Sequence, residues 1–199
     1  MGELYFHDLQ SYMDRFGCNV FVETGTGRGT GLRHALKYPF EKYFSIEINK
    51  VLFEDAVKQF DKYLSGQLTL VNQSSIDGLR RVLFFPPDVR NLTYLFWLDA
   101  HFPGADFQLG FYDDRHPDEI KYPLLWELEA IFNIRPNNRD VFIIDDLQLY
   151  EDGNYELKLA PEFLAKHRRR IQPIIDLVNK THSIRRDYRH QGFMILEPR

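Results

Sequence analysis

Five short apolar runs recur along the chain, and the stretches between them carry apolar residues at helical spacing. The runs are Val20-Phe-Val22, Tyr43-Phe-Ser-Ile46, Leu68-Thr-Leu-Val71, Tyr94-Leu-Phe-Trp-Leu98 and Val141-Phe-Ile-Ile144. Unbroken apolar runs of this length fit strands covered on both faces, as in a parallel sheet. Leu4, Tyr5, Leu9, Tyr12, Met13 and Phe16 predict an amphipathic helix over 3–16, stopped by Gly17. Helical spacing returns from Leu32 until Pro39, over Leu52–Phe60, from Ile76, and from Pro123 until Pro136. Pro86-Pro87 marks a surface turn. A helix is expected over Pro161–Lys180, kinked or split by Pro173. His182–Asp187 and Phe193–Leu196 read as a closing antiparallel hairpin. The alternation predicts an α/β fold: a doubly wound, mostly parallel seven-stranded sheet with a C-terminal antiparallel hairpin, in one domain over 1–199. Residues 102–122 are rich in Gly, Pro, Asp and aromatics and show no period. A connection that long inside a compact domain is expected to be a lid or binding loop.

Composition narrows the setting. With 199 residues the chain is long enough for a full core. A net charge of −4 gives no general reason to expect nucleic acid or an anionic membrane as partner. Cys18 is the only cysteine, so no intrachain disulfide forms, and a reducing compartment fits. No apolar run approaches the roughly 20 residues of a membrane span. Glu3, His7 and Asp8 stand where a signal peptide needs an apolar segment. The expected location is cytoplasmic.

The chemistry concentrates after the first strand, in Glu23-Thr-Gly-Thr-Gly-Arg-Gly-Thr-Gly31. Strand, glycine-rich turn and helix bring bare backbone close to a nucleotide-like ligand. A dinucleotide fingerprint would need a third small residue where Thr30 stands, and a P-loop would need Lys-Ser or Lys-Thr after the glycines. An acid two residues before the first glycine suits a cationic ligand better than a pyrophosphate. Glu47 closes the second strand 24 residues after Glu23, near the spacing at which a strand-end acid binds ribose hydroxyls; otherwise it caps the next helix.

Glu23-Thr-Gly25-Thr-Gly27-Arg-Gly29 resembles the E/D-x-G-x-G-x-G motif of class I S-adenosylmethionine (SAM)-dependent methyltransferases. The five β/α units and terminal hairpin match that fold over nearly the whole chain. The resemblance implies that Gly25, Gly27 and Gly29 admit the methionine part of SAM, that Glu23 lies near its ammonium, and that Glu47 holds the ribose. Such enzymes usually carry an acid or amide after the third strand that bonds adenine. By register Ser74 takes that place, a departure from the pattern, and Ser74 or Ser75 serves equally well as a helix N-cap.

Acids end four of the five apolar runs: Glu23, Glu47, Asp99 and Asp145-Asp146. Asp99 and the Asp pair end strands expected to be neighbours, so three carboxylates could converge. Their repulsion is relieved by a hard divalent cation, and Mg²⁺ suits such a site. The pattern is similar to metal-dependent O-methyltransferases such as catechol O-methyltransferase, which implies Asp99, Asp145 and Asp146 as metal ligands. Asp in place of Asn at the second pair position departs from that family. So does the absence of its lysine base, whose place is taken by about Phe102. His101 is the nearest titratable group that could take a hydroxyl proton, which makes His101 and Asp99 the candidate catalytic residues.

The function read from these residues is SAM-dependent O-methylation of a small hydroxylated acceptor, a small molecule or a sugar-derived glycan, with SAM as cofactor and Mg²⁺ as candidate metal. Two rivals stay open. One is a binding or assembly module that keeps the fold without turnover; the other is an NAD-dependent Rossmann enzyme, disfavoured by Thr30. The basic clusters His167-Arg168-Arg169-Arg170 and Arg185-Arg186 fit a solvated surface better than an anion site. Phe102, Phe107, Phe111 and Tyr112 either form a substrate lid or bury a contact in a homo-oligomer.

Overall fold

The computed structural model describes residues 3–64, 66–84, 92–112, 115–136 and 139–199; the Pro86-Pro87 turn lies outside them. The chain opens with a 3-10 turn, Leu4–Phe6, and α1 (Leu9–Phe16). Asp8 accepts a hydrogen bond from Gln10 N and so fixes the start of α1; Gly17, at φ 70°, ends it. The helix expected over 3–16 is therefore broken by its own N-cap.

There follow β1 (Cys18–Thr24), α2 (Thr30–Ala35), β2 (Lys42–Ile46), α3 (Lys50–Gln59), α4 (Asp61–Leu64), β3 (Leu68–Val71), α5 (Ser75–Phe84) and β4 (Thr93–Leu98). Within 102–122, expected to be irregular, the chain forms a 3-10 turn (Ala105–Phe107) and the short α6 (Asp118–Lys121). Then come α7 (Leu124–Ile134), β5 (Val141–Ile144), α8 (Pro161–His167), α9 (Gln172–Val178), β6 (His182–Asp187) and β7 (Phe193–Pro198). The split between α8 and α9 lies ahead of Pro173. Arg168 turns extended, and Pro173 sits in the first turn of α9, where its missing N–H is not needed.

One seven-stranded sheet results, in the order β3-β2-β1-β4-β5-β7-β6. The first five strands run parallel, and β7 and β6 close the edge antiparallel. Alternate residues of the central strands serve two cores. Val20, Val22, Tyr94, Phe96 and Phe142 pack with residues of α5, α7 and α9. Phe21, Leu95, Trp97, Val141 and Ile143 pack with residues of α1, α2 and α3. Trp97, Tyr94, Phe96 and Phe142 are at most 1% exposed, and burying each contributes about 2–3 kcal/mol. That double coverage is why these strands read as unbroken apolar runs.

Register places the chemistry. Thr24 is paired with Ile46 on one side and Leu98 on the other, and Leu98 with Ile144. The residues that follow, Gly25, Glu47, Asp99 and Asp145, thus leave the same edge of the sheet, where ligands of open parallel sheets bind. Among the described residues no helix is long and apolar enough to cross a membrane.

Candidate active site

The glycine loop is shaped by close approach. Gly25 and Thr26 donate their N–H groups to Ile46 O, which folds the loop over the end of β2. Gly25 has φ 79°, and a Cβ there would stand 2.6 Å from Asp99 O, so a side chain is excluded twice. Gly27 faces the cavity beyond the strand ends, whereas the side-chain direction of Gly29 is taken by Phe60 and Gln59 of the neighbouring helix region. Gly31 was not singled out by the motif. A Cβ on it would stand 2.7 Å from Glu23 Oε2, so this glycine makes room for the buried acid.

Glu23 is 1% exposed and lines the cavity. Ser45 Oγ donates to its Oε1 at 2.6 Å, and the Thr26 hydroxyl lies 2.6 Å from Ser45 Oγ. Burial pushes the Glu23 carboxyl up to about 8; the Ser45 bond opposes this, and the charges of Asp99 and Glu47 add to it. A cation beside Glu23 would restore its charge. Glu47 accepts from Gly27 N at 2.8 Å and from Asn49 N at 2.7 Å. Burial raises its pKa against those two bonds. It is not the helix cap: Asn49 caps α3, accepting from Val51 N and Leu52 N. Each Glu47 oxygen keeps acceptor capacity toward the cavity. Ser74 caps α5, accepting from Asp77 N and donating to Asp77 Oδ2; Ser75, not Ser74, lines the cavity.

At the ends of β4 and β5 the structure gathers Asp99, His101 and Asp146, whose ligating atoms all lie within 4.8 Å of one another. His101 stands between the carboxylates, Nδ1 3.7 Å from Asp99 Oδ1 and Nε2 bonded to Asp146 Oδ2. Asp145 is not one of the three: its Oδ1 accepts from Asp146 N at 2.9 Å. Burial lowers the His101 pKa, but the charge and hydrogen bond of Asp146, with Asp99 and Asp145, push it up to about 10. Burial pushes Asp99 up to about 7, with His101 opposing and Asp146 adding. Burial and the neighbouring Asp146 and Asp99 charges hold Asp145 well above the usual carboxylate range, whereas His101 holds Asp146 below it despite burial. The contact with Asp146 favours the protonated imidazole, so in this arrangement His101 is engaged rather than free to act as a base.

Two cavities meet here. The first, ≈ 80 Å³, is lined by Glu23, Gly25, Gly27, Glu47, Ser75 and Asp99, among others. The second, ≈ 280 Å³, is lined by Asp146 with Tyr112, Leu149, Leu159, Phe163 and Gln191. His101, Phe102 and Asp106 line both. Phe102, Tyr112 and Phe163 pack edge-on or tilted at 5.2–5.7 Å, and the Tyr112 hydroxyl donates to Asp106. The Phe107 ring occupies the mouth of the first cavity, 2.8 Å from where a Gly27 Cβ would stand. That leaves it well short of the roughly 300 Å³ of small-molecule sites. The aromatics of 102–122 mark Phe107 as a lid or contact residue but do not give its direction, which depends on left-handed residues at Phe102, Gly104 and Gln108. The basic clusters are engaged elsewhere, Arg168 with Asp152, Arg169 with Asp118 and Arg186 with Glu151, and none of them lines either cavity.

No family model and no curated protein matches this sequence. Solved structures do resemble it. A proposed caffeoyl-CoA O-methyltransferase from Staphylococcus aureus matches with TM-score 0.59 and 11% identity, over 100% of this chain and 85% of that one. The O-methyltransferase TomG from Streptomyces achromogenes, involved in tomaymycin synthesis and crystallised with SAM, gives 0.57 and 13%, over 96% and 77%. A SAM-dependent methyltransferase from Aquifex aeolicus gives 0.54 and 13%, over 98% and 90%. At such identities the likeness is one of architecture, and the chain has the class I methyltransferase fold.

Proposed function

We propose that this chain is a SAM-dependent methyltransferase that acts on a hydroxyl of a small, hydroxylated acceptor such as a sugar derivative. The observation that carries the reading is the pair of cavities joined at His101, Phe102 and Asp106. One holds the glycine loop and two buried acids, and the other ends on the Asp146 side of the histidine. A donor and an acceptor seated there would meet across one shared wall.

In the donor cavity Glu23 faces the ammonium, Glu47 accepts from the ribose hydroxyls, and Gly25 and Gly27 keep side chains out of the way. In the transfer, an acceptor oxygen lone pair forms the new bond to the methyl carbon. The S–CH₃ bond breaks with its electron pair going to sulfur, leaving S-adenosylhomocysteine (SAH), and the hydroxyl proton departs. Positioning of the two partners supplies much of the acceleration. Asp99, His101 and Asp146 could hold a divalent cation, which would lower the pKa of a bound hydroxyl. With a cation held there His101 is a ligand and the hydroxyl proton would pass to water; without one, His101 is the nearest titratable acceptor.

A second reading, a module with this fold but without turnover, is favoured by one observation: Phe107 fills the space beside Gly27. SAH separates the two. At 100-fold over its Kd it would stabilise the chain by about 2.7 kcal/mol, a rise of roughly 5–10 °C in Tm, and Gly27→Val would abolish the rise. No shift at saturating SAH, in the wild type and in Phe107→Ala alike, refutes the enzyme.

A further inference from the structure

The residues gathered at the ends of β4 and β5 do not make the all-oxygen set that Mg²⁺ prefers. Asp145, expected beside Asp99 and Asp146, accepts the backbone N–H of Asp146 through Oδ1 and is not among the gathered ligating groups. Its place near the other two acids is taken by the imidazole of His101. We infer that this site binds a first-row divalent transition metal, of the manganese-to-zinc series, in preference to Mg²⁺.

Three observations support this. First, the donor set is one nitrogen and two carboxylates whose ligating atoms lie within 4.8 Å of one another, so a small side-chain adjustment brings all three to the about 2.0–2.2 Å bond lengths of one ion, which displaces the His101 proton. Imidazole nitrogen favours iron, nickel, copper and zinc, while Mg²⁺ keeps oxygen ligands and water. Second, the three residues come from two adjacent strand ends whose register is fixed by the Leu98–Ile144 pairing, so the scaffold behind them is rigid. Third, the group sits where the cavities join: Asp99 and His101 line one, His101 and Asp146 the other. Three protein ligands leave coordination positions free, and the cavity that His101 and Asp146 line is the place of the proposed acceptor. The metal's role in transfer rests on the methyltransferase reading, but its binding does not.

The test uses the full chain, stripped with chelator and titrated calorimetrically with Mn²⁺, Co²⁺, Zn²⁺ and Mg²⁺, with visible absorption followed for Co²⁺. One transition ion per chain is expected, bound about 100-fold or more tighter than Mg²⁺. His101→Gln should cut that preference to about 10-fold or less and change the Co²⁺ spectrum, whereas Asp145→Asn should leave affinity within about threefold. Circular dichroism confirms that each variant is folded. Mg²⁺ binding as tightly as Co²⁺, no ion binding at all, or a preference unchanged in His101→Gln would overturn the inference. SAH-induced stabilisation measured on the same stripped protein reports separately on the methyltransferase reading.

Discussion

Phe107 makes the most demanding prediction, because it stands where the proposed donor must go. Its ring approaches within 2.8 Å of the Cβ position of Gly27, and the Arg28 guanidinium lies 5.5 Å from the ring centre. A nucleoside entering the ≈ 80 Å³ cavity has to lift this ring away. Returning a partly buried phenylalanine to water costs about 1–2 kcal/mol. That cost is subtracted from the ligand's affinity, since only the open form binds. Phe107→Ala removes it and is therefore expected to tighten SAH binding by about 5- to 30-fold in calorimetry. Phe111→Ala is the control: Phe111 is 80% exposed on the same segment, and its loss is expected to change SAH affinity by less than about twofold. Unchanged affinity in Phe107→Ala would mean that the ring is not the obstacle. Weakened affinity would mean that it is a wall the ligand needs.

Other perturbations test the scaffold. Glu127 is 1% exposed in α7, its Oε1 has no hydrogen-bond partner, and burial pushes its carboxyl up to about 7. Its folded pKa lies above the unfolded value, so its contribution to stability is full below about pH 4.5 and is lost as pH rises toward 7. Glu127→Gln should therefore raise the urea midpoint more at pH 8 than at pH 5; an equal change at both would contradict this. Arg135 binds Asp140 through Nε at 2.7 Å and Nη2 at 2.9 Å, and Asp140 also accepts from Tyr94 N. Arg135→Leu is expected to cost about 3–5 kcal/mol by stranding a buried carboxylate, read as a lower urea midpoint with an unchanged m-value. Gly17→Ala and Gly25→Ala share positive φ, but only at Gly25 would the methyl strike backbone, at 2.6 Å from Asp99 O. Thermal melts should show Gly25→Ala as the more destabilised by about 2 kcal/mol or more, with SAH binding lost only in that variant.

The sequence carries the architecture well because the central strands are covered on both faces, and so Val20–Val22, Tyr94–Leu98 and Val141–Ile144 cannot be written with polar residues. The strand-end acids are equally visible, since each follows its apolar run directly. What escapes is decided by competition among short-range hydrogen bonds. Asp8 claims Gln10 N and breaks the first helix early; Ser74, read as either adenine contact or N-cap, claims Asp77 and leaves Ser75 to face the cavity; Asp145 Oδ1 accepts Asp146 N while His101 joins Asp99 and Asp146. Spacing alone does not rank such rivals, because each differs from its alternative by about one hydrogen bond. The lid role open to Phe107 is legible among the loop aromatics, but the direction of its ring escapes for another reason. Its position depends on three left-handed residues in a loop without period, at Phe102, Gly104 and Gln108, two of which are not glycine.

Titrating the 199-residue chain with SAH by calorimetry, with NAD run in parallel, addresses the donor hollow itself. One SAH site per chain, no NAD binding, and loss of the heat in Gly27→Val are the predicted results. Silence toward SAH in both the wild type and Phe107→Ala, or tighter binding of NAD, would contradict the proposal that this hollow was built for a charged sulfonium nucleoside.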